Sequence, residues 1–122
     1  MVIQKVLVAD GSSKDRKNTI RSLKNIGVSG VKEATDGEQA IDLFKQSSFD
    51  AVFADLDLPA GRGLEVVREI RKSNQDVPII LTTTAAESDL AQEAMRAGAS
   101  DILLKPFTAD TLREKLEPQL SA

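Results

Sequence analysis

A small set of polar side chains stands where short apolar runs end, and their types limit the chemistry open to them. Val6-Leu7-Val8-Ala9 runs into Asp10, Ala51-Val52-Phe53-Ala54 into Asp55 and then Asp57, Ile79-Ile80-Leu81 into Thr82-Thr83-Thr84, and Ile102-Leu103-Leu104 into Lys105-Pro106. The sequence has no His and no Cys. Thiolate and imidazole metal sites, Ser-His-Asp triads, Cys-His pairs and a phosphohistidine relay within the chain are therefore excluded. Carboxylates, hydroxyls and an ammonium remain. They suit a hard, oxygen-ligated cation such as Mg²⁺ and phosphoryl chemistry better than soft-metal or acyl-transfer work.

The elements that must position these residues follow from the hydrophobic pattern. Short apolar runs alternate with longer stretches of helical period, the signature of β-α units and a parallel sheet. Strands are expected at Val6–Ala9, Val31–Ala34, Ala51–Ala54, Ile79–Thr82 and Ile102–Leu104. Four of these are continuously apolar, as strands covered by helices on both faces should be, while Val31-Lys32-Glu33-Ala34 is mixed and reads as an edge. Helices are expected at Lys14–Asn25, Glu38–Gln46, Leu64–Ser73, Asp89–Ala97 and Asp110–Leu120. Their stripes include Ile20/Leu23, Ala40/Ile41/Phe44, Val67/Ile70 and Leu112/Leu116/Leu120, with a weaker one of Leu90, Ala91, Ala94 and Met95. Asp36 with Gln39 and Asp89 with Gln92 have capping-box spacing, Thr108 precedes the last helix, and Gly27 and Gly98 fall at helix ends. If the strands are parallel, the polar set gathers on the rim formed by their carboxyl ends, where open α/β sheets place their crevice. No glycine-rich phosphate loop follows the first strand, since Ala9-Asp10-Gly11-Ser12-Ser13-Lys14 lacks the spacing.

With 122 residues and no linker-like stretch, the chain is expected to form one domain over 1–122, large enough to bury a core without disulfides or structural metal. The formal net charge of −3 and the absence of Lys/Arg blocks show no nucleic-acid footprint. No signal peptide or membrane span is visible, so a cytoplasmic setting is expected. The only aromatics are four Phe, which makes the core mainly aliphatic.

Four motifs in order, Val6-Leu7-Val8-Ala9-Asp10, Ala54-Asp55-Leu56-Asp57-Leu58-Pro59 followed by Gly63, Thr83-Thr84-Ala85, and Leu104-Lys105-Pro106-Phe107, resemble the receiver domain of two-component response regulators. The single-domain chemotaxis regulator is the simplest member of that family. The resemblance spans essentially the whole chain. It implies a flavodoxin-like, doubly wound (βα)₅ fold with strand order 2-1-3-4-5 and reversible phosphorylation of an aspartate, with Asp55 as acceptor. It also implies that Asp10 helps to hold Mg²⁺ together with Asp55 and Asp57, the latter through its carbonyl or its side chain. Thr83 and Lys105 would engage the phosphoryl oxygens, and Lys105-Pro106 would be cis. A sensor histidine kinase or phosphotransfer protein would donate the group and a downstream protein would read it. The Asp89–Leu120 face is where relatives dock or dimerise, and no enzyme activity beyond the domain's own phosphorylation and dephosphorylation is implied.

Two positions depart from the family pattern. Gly11 stands where a second acid normally binds the metal, and losing such a partner typically costs about 10–100-fold in affinity or activity, so weakened Mg²⁺ binding is expected. Ile102 stands where many receivers carry an aromatic switch residue. Structural readings stay open: Asp10 could cap the first helix, Asp55-x-Asp57 could be an acidic turn, and Thr83 could be a strand-end residue. A phosphorylation-independent pseudo-receiver and a small aspartyl-nucleophile phosphatase using Asp55-x-Asp57 are the other functional readings.

Overall fold

The computed structural model describes residues 3–60 and 62–120; Met1-Val2 and Ser121-Ala122, the ends of the expected 1–122 domain, lie outside the described residues. The elements run β1 (Lys5–Ala9), α1 (Ser13–Asn25), β2 (Gly30–Ala34), α2 (Gly37–Gln46), β3 (Ala51–Asp55), α3 (Gly63–Ser73), β4 (Ile79–Thr83), α4 (Asp89–Ala97), β5 (Asp101–Leu104) and α5 (Ala109–Leu120). The strands form one parallel sheet of order β2-β1-β3-β4-β5. Each strand reaches one residue beyond its expected range: Lys5, Asp55, Thr83 and Asp101 are polar residues whose backbone still joins the ladder, and Gly30 does the same for β2.

Alternation along the strands divides the interior in two. Leu7, Ala9, Val52, Ala54, Ile79 and Leu81 face one layer, where they meet Ala40 of α2, Val66, Val67 and Ile70 of α3, and Ala91 and Ala94 of α4. Val6, Val8, Ala51, Phe53, Ile80 and Leu103 face the other, against Leu23 of α1 and Leu112 and Leu116 of α5. In the first layer α3 lies between α2 and α4; in the second α1 packs beside α5. The interior is aliphatic apart from Phe49 and Phe53.

Three local expectations are corrected. Although its run is apolar, β5 is the second edge of the sheet, with β4 as its only neighbour; Ile102 and Leu103 pack into the two layers, but Leu104 at its end is 52% exposed. Met95 is not part of the buried stripe of α4, which rests on Ala91 and Ala94; it is exposed because the helix is held by two small side chains close to α3. The cap of α4 is Ser88, whose Oγ accepts from the Ala91 N–H at 3.1 Å, so Asp89 falls inside the first turn, where a negative charge favours the helix dipole. Elsewhere the caps agree with the sequence. Asp36 accepts from the Gln39 N–H at 2.7 Å and Thr108 from the Thr111 N–H at 3.2 Å. Gly27 and Gly98 end α1 and α4 at φ 96° and 121°, a region costly for residues with a Cβ.

The rim where the strands begin is tied down by side chains bound to backbone. Asp50 accepts from the N–H groups of Gln4 and Lys5 at 2.8 and 3.1 Å, and Ser100 Oγ accepts from Ile79 N–H at 2.9 Å. Arg71 donates to the carbonyls of Gly98, Asn74 and Val77 at 2.9, 3.2 and 2.8 Å. The opposite rim is built differently.

Candidate functional site

At the carboxyl end of β1, Ala9 pairs with Ala34 on one side and Ala54 on the other, so Asp10 and Asp55 emerge side by side at the centre of the sheet. This is where chain connections leave β1 and β3 in opposite directions and a crevice opens. Asp10 N–H still donates to Ala34 O at 3.0 Å, and Asp10 Oδ1 accepts from Ser12 N–H at 2.9 Å, turning the chain. Ser12 Oγ then accepts from Asp15 N–H at 3.2 Å and caps α1. Asp10 therefore shapes the turn but does not cap the helix.

Asp55 is the last residue of β3 and pairs with Thr82. Its Oδ1 accepts from Asp57 N–H at 3.1 Å. The start of α3 packs tightly against this strand end. A Cβ on Gly63 would lie 2.7 Å from Asp55 O and 2.8 Å from Leu56 Cα, both backbone atoms that cannot step aside, so this position requires glycine.

Lys105 follows β5 and donates its N–H to Thr83 O at 2.8 Å; its bond to Pro106 is cis. Its Nζ reaches Asp10 Oδ2 at 3.0 Å, Asp15 Oδ2 at 3.0 Å and Asp55 Oδ2 at 3.3 Å. Thr83 ends β4 and is buried; its Oγ1 accepts from Ala85 N–H at 3.1 Å, which leaves the hydroxyl proton free to be donated.

Asp10, Asp55 and Lys105 thus meet through their side chains, with Thr83 on the neighbouring strand. Asp57 does not join them: its side chain is exposed and only its N–H faces Asp55. Asp15 does join them, and the sequence reading missed it. Its signal was present in the Ser12-x-x-Asp15 spacing, but that spacing is the ordinary mark of a helix start, and nothing in it tells that the first turn of α1 lies within reach of the loop after β5.

The electrostatics follow from one cation among three carboxylates. Burial pushes the Asp10 carboxyl above its ordinary range, outweighing its bonds from Ser12 and Lys105, and the Asp55 charge adds to the rise. Burial alone would lower Lys105, but hydrogen bonds to Asp10 and Asp15 and the charges of Asp55 and Asp10 raise it above its usual value. The ammonium is therefore permanently charged and the pocket keeps an excess of negative charge.

That excess, carried by hard oxygen donors, fits a divalent cation. Among the described residues no group of three or more acidic side chains forms a metal cage of its own. The donor set suits a partly hydrated ion held by one or two carboxylates, which is how Mg²⁺ is usually bound. Gly11 gives no carboxylate, and the space for one is narrow: a Cβ there would lie 3.0 Å from Pro59 Cδ and 3.5 Å from Thr35 O. A cleft of about 560 Å³ opens beside Lys105, between α1 and the loop after β5, with Lys14, Lys17, Arg21 and Phe107 on its walls. No helix among the described residues is long and apolar enough to cross a membrane.

Comparison with known proteins points the same way. The family model for the response regulator receiver domain matches residues 6–117. The chain is 37% identical over 119 residues to a chemotaxis protein CheY homolog of Campylobacter jejuni, covering 95% of this chain and 92% of that one. It is 33% identical over 115 residues to the chemotaxis protein CheY-3 of Vibrio cholerae, covering 93% and 88%. Among solved structures, the chemotaxis response regulator CheY4 of Vibrio cholerae superposes with a TM-score of 0.89 at 30% identity, covering 98% of this chain and 100% of that one. The receiver domain of a sensor histidine kinase from Pseudomonas aeruginosa PAO1, determined with a magnesium ion coordinated in its active site cleft, gives 0.89 at 28% identity, covering 99% and 100%.

Proposed function

Because the chain belongs to the response regulator receiver family and so to phosphorelay signalling, we propose that Asp55 is its phosphoryl acceptor, with Asp10, Thr83 and Lys105 as the working parts around it. The observation that carries this reading is the meeting of Asp10, Asp15 and Asp55 on the single ammonium of Lys105. Asp10 is too deeply covered to meet a donor, with 1% of its surface exposed, whereas Asp55 opens onto the crevice between β1 and β3.

In the transfer, an Asp55 carboxylate oxygen attacks phosphorus. The bond from phosphorus to the donor's nitrogen or oxygen breaks, and its electron pair stays with the donor. The product is an acyl phosphate. Two like charges about 4 Å apart repel by about 4 kcal/mol at an effective dielectric near 20, so a carboxylate approaching a dianionic phosphoryl group needs counter-charge in place. Lys105 provides one part. Mg²⁺, held by Asp10, Asp55 and the backbone carbonyl of Asp57, supplies further neutralisation and in-line alignment when bound. With Gly11 in place of a carboxylate, its affinity is expected to fall roughly 10–100-fold below that of a site with the full set.

The new group adds about −1.5 to −2 charge and strong acceptor oxygens. Thr83 has a hydroxyl proton to offer them, and a shift of Thr83 moves the loop that leads to α4. Ile102 packs partly buried against the core, so the signal passes to the Asp89–Leu120 face by aliphatic repacking and not by rotation of a ring. On this reading residues 1–122 act as one receiver unit in the cytoplasm. A sensor histidine kinase or phosphotransfer protein charges it, a downstream protein or a second copy reads it, and it turns over no other substrate.

The test is intact-mass measurement after incubation with a small acyl phosphate, with and without Mg²⁺, beside Asp55→Asn. One phosphoryl group gained only when Mg²⁺ and Asp55 are both present is expected. No gain even at high Mg²⁺ would replace this reading with that of a pseudo-receiver, which binds partners without being phosphorylated.

A further inference from the structure

Lys105 carries three ammonium protons, and three carboxylates already take them: Asp10 at 3.0 Å, Asp15 at 3.0 Å and Asp55 at 3.3 Å. No donor is left for a phosphoryl oxygen, so one carboxylate must let go before the ammonium can serve the new group. Asp55 is itself the acceptor, and Asp10, with 2% of its side chain exposed, has no water to turn to. Asp15 differs from both. Its side chain is 42% exposed, it sits on the first turn of α1, and it borders the cleft walled by Lys14, Lys17 and Arg21, which gives it solvent and room.

We propose that Asp15 is a positioning residue that holds Lys105 in the resting protein and yields it on phosphoryl transfer, so that the first turn of α1 sets how readily Asp55 is charged. The proposal rests on Asp55 being the acceptor. It makes Asp15 a competitor for Lys105 and not a metal ligand, and the two roles have opposite signatures. When the competing charge is removed, an ammonium donor is freed and the repulsion felt by a dianionic donor falls, so transfer speeds up. The same loss of negative charge weakens the hold on Mg²⁺.

The experiment compares the unmodified protein with Asp15→Asn, Asp15→Glu and Asp42→Asn, the last removing one charge from the exposed surface of α2. Phosphorylation by an acyl phosphate is followed by mass at saturating Mg²⁺, and Mg²⁺ affinity by calorimetry. Asp15→Asn is expected to be phosphorylated roughly two- to fivefold faster, the scale of one partly exposed ion pair, and to bind Mg²⁺ a few-fold more weakly. Asp15→Glu should bring the rate back toward that of the unmodified protein, and Asp42→Asn should leave it in place. A rate and an affinity that fall together in Asp15→Asn would make Asp15 a metal ligand and overturn the proposal. A lowered melting temperature with rate and affinity unchanged would reduce it to a helix-start residue and overturn it equally. Failure of the unmodified protein to take up phosphate sinks the acceptor assignment and this proposal with it, whereas uptake that ignores Asp15 sinks the proposal alone.

Discussion

The two rims of the sheet both carry charged and polar side chains, yet they use them in opposite ways. Where the strands begin, the groups that tie the rim down are bonded mainly to backbone: Asp50 to two N–H groups, Ser100 to the Ile79 N–H, and Arg71 to three carbonyls. Those backbone partners do not change charge. Where the strands end, Asp10, Asp15 and Asp55 bond to the same Lys105, so the gain of one is the loss of another. A charge fixed to backbone holds the fold, while charges crowded on one another form a set that a new ion or phosphoryl group can re-sort.

Replacing the central cation of each rim tests this contrast most severely. Lys105→Ala leaves three carboxylates without counter-charge and is expected to cost about 3–5 kcal/mol near neutral pH, with a large part restored by Mg²⁺. Arg71→Ala strands buried carbonyls and is expected to cost about 2–3 kcal/mol, with no response to Mg²⁺ and phosphoryl uptake unchanged. Urea titrations with and without Mg²⁺ read both, and an equal Mg²⁺ response in the two variants would dissolve the distinction.

A smaller effect is expected from Gly11→Asp. It should raise Mg²⁺ affinity about tenfold and lower stability in metal-free buffer, because it adds a carboxylate next in the chain to Asp10 and presses on Pro59, whose Cδ lies 3.0 Å from the Cβ position. Unchanged affinity by calorimetry would mean that position 11 is not part of the metal site.

The finest difference is one of pH. The Asp10 carboxyl is raised above its ordinary 3.8 by burial, so the folded chain binds that proton more tightly than the unfolded one. The stabilisation is fullest below 3.8 and fades as pH rises from there to the raised folded value. In metal-free buffer Asp10→Asn should therefore gain on the unmodified protein through that interval and then hold a constant lead. A lead that shrinks with rising pH would show that Lys105 outweighs burial.

Most of this architecture was legible in the sequence because it depends on near neighbours. All ten elements follow from periodicity to within a residue of their expected ends, and Asp36, Thr108, Gly27 and Gly98 mark their boundaries as expected. The strand order and the cis bond came from family likeness, not from periodicity. What was not legible depends on distance across the fold. An apolar run looks the same whether one neighbour or two will flank it, and so the exposure of Leu104 on β5 was hidden. Ser88 and Asp89 are both good caps, and only the packing of α4 chose between them. Asp15 was hidden for the strongest reason, since its partner Lys105 lies 90 residues away and no local pattern spans that gap.

The division of the interior into two layers sets a rule for how this chain can vary. Val6 and Val8 belong to one layer, Leu7 and Ala9 to the other, and Asp10 is simply the next residue. Deleting one residue from β1 would exchange the layers and draw Asp10 back by about 3.3 Å, farther than the reach of its bond to Lys105. Changes of length are therefore affordable in the loops but not in β1 or β3. The length of these strands works as a ruler, and the spacing between charges in the cleft is what it measures.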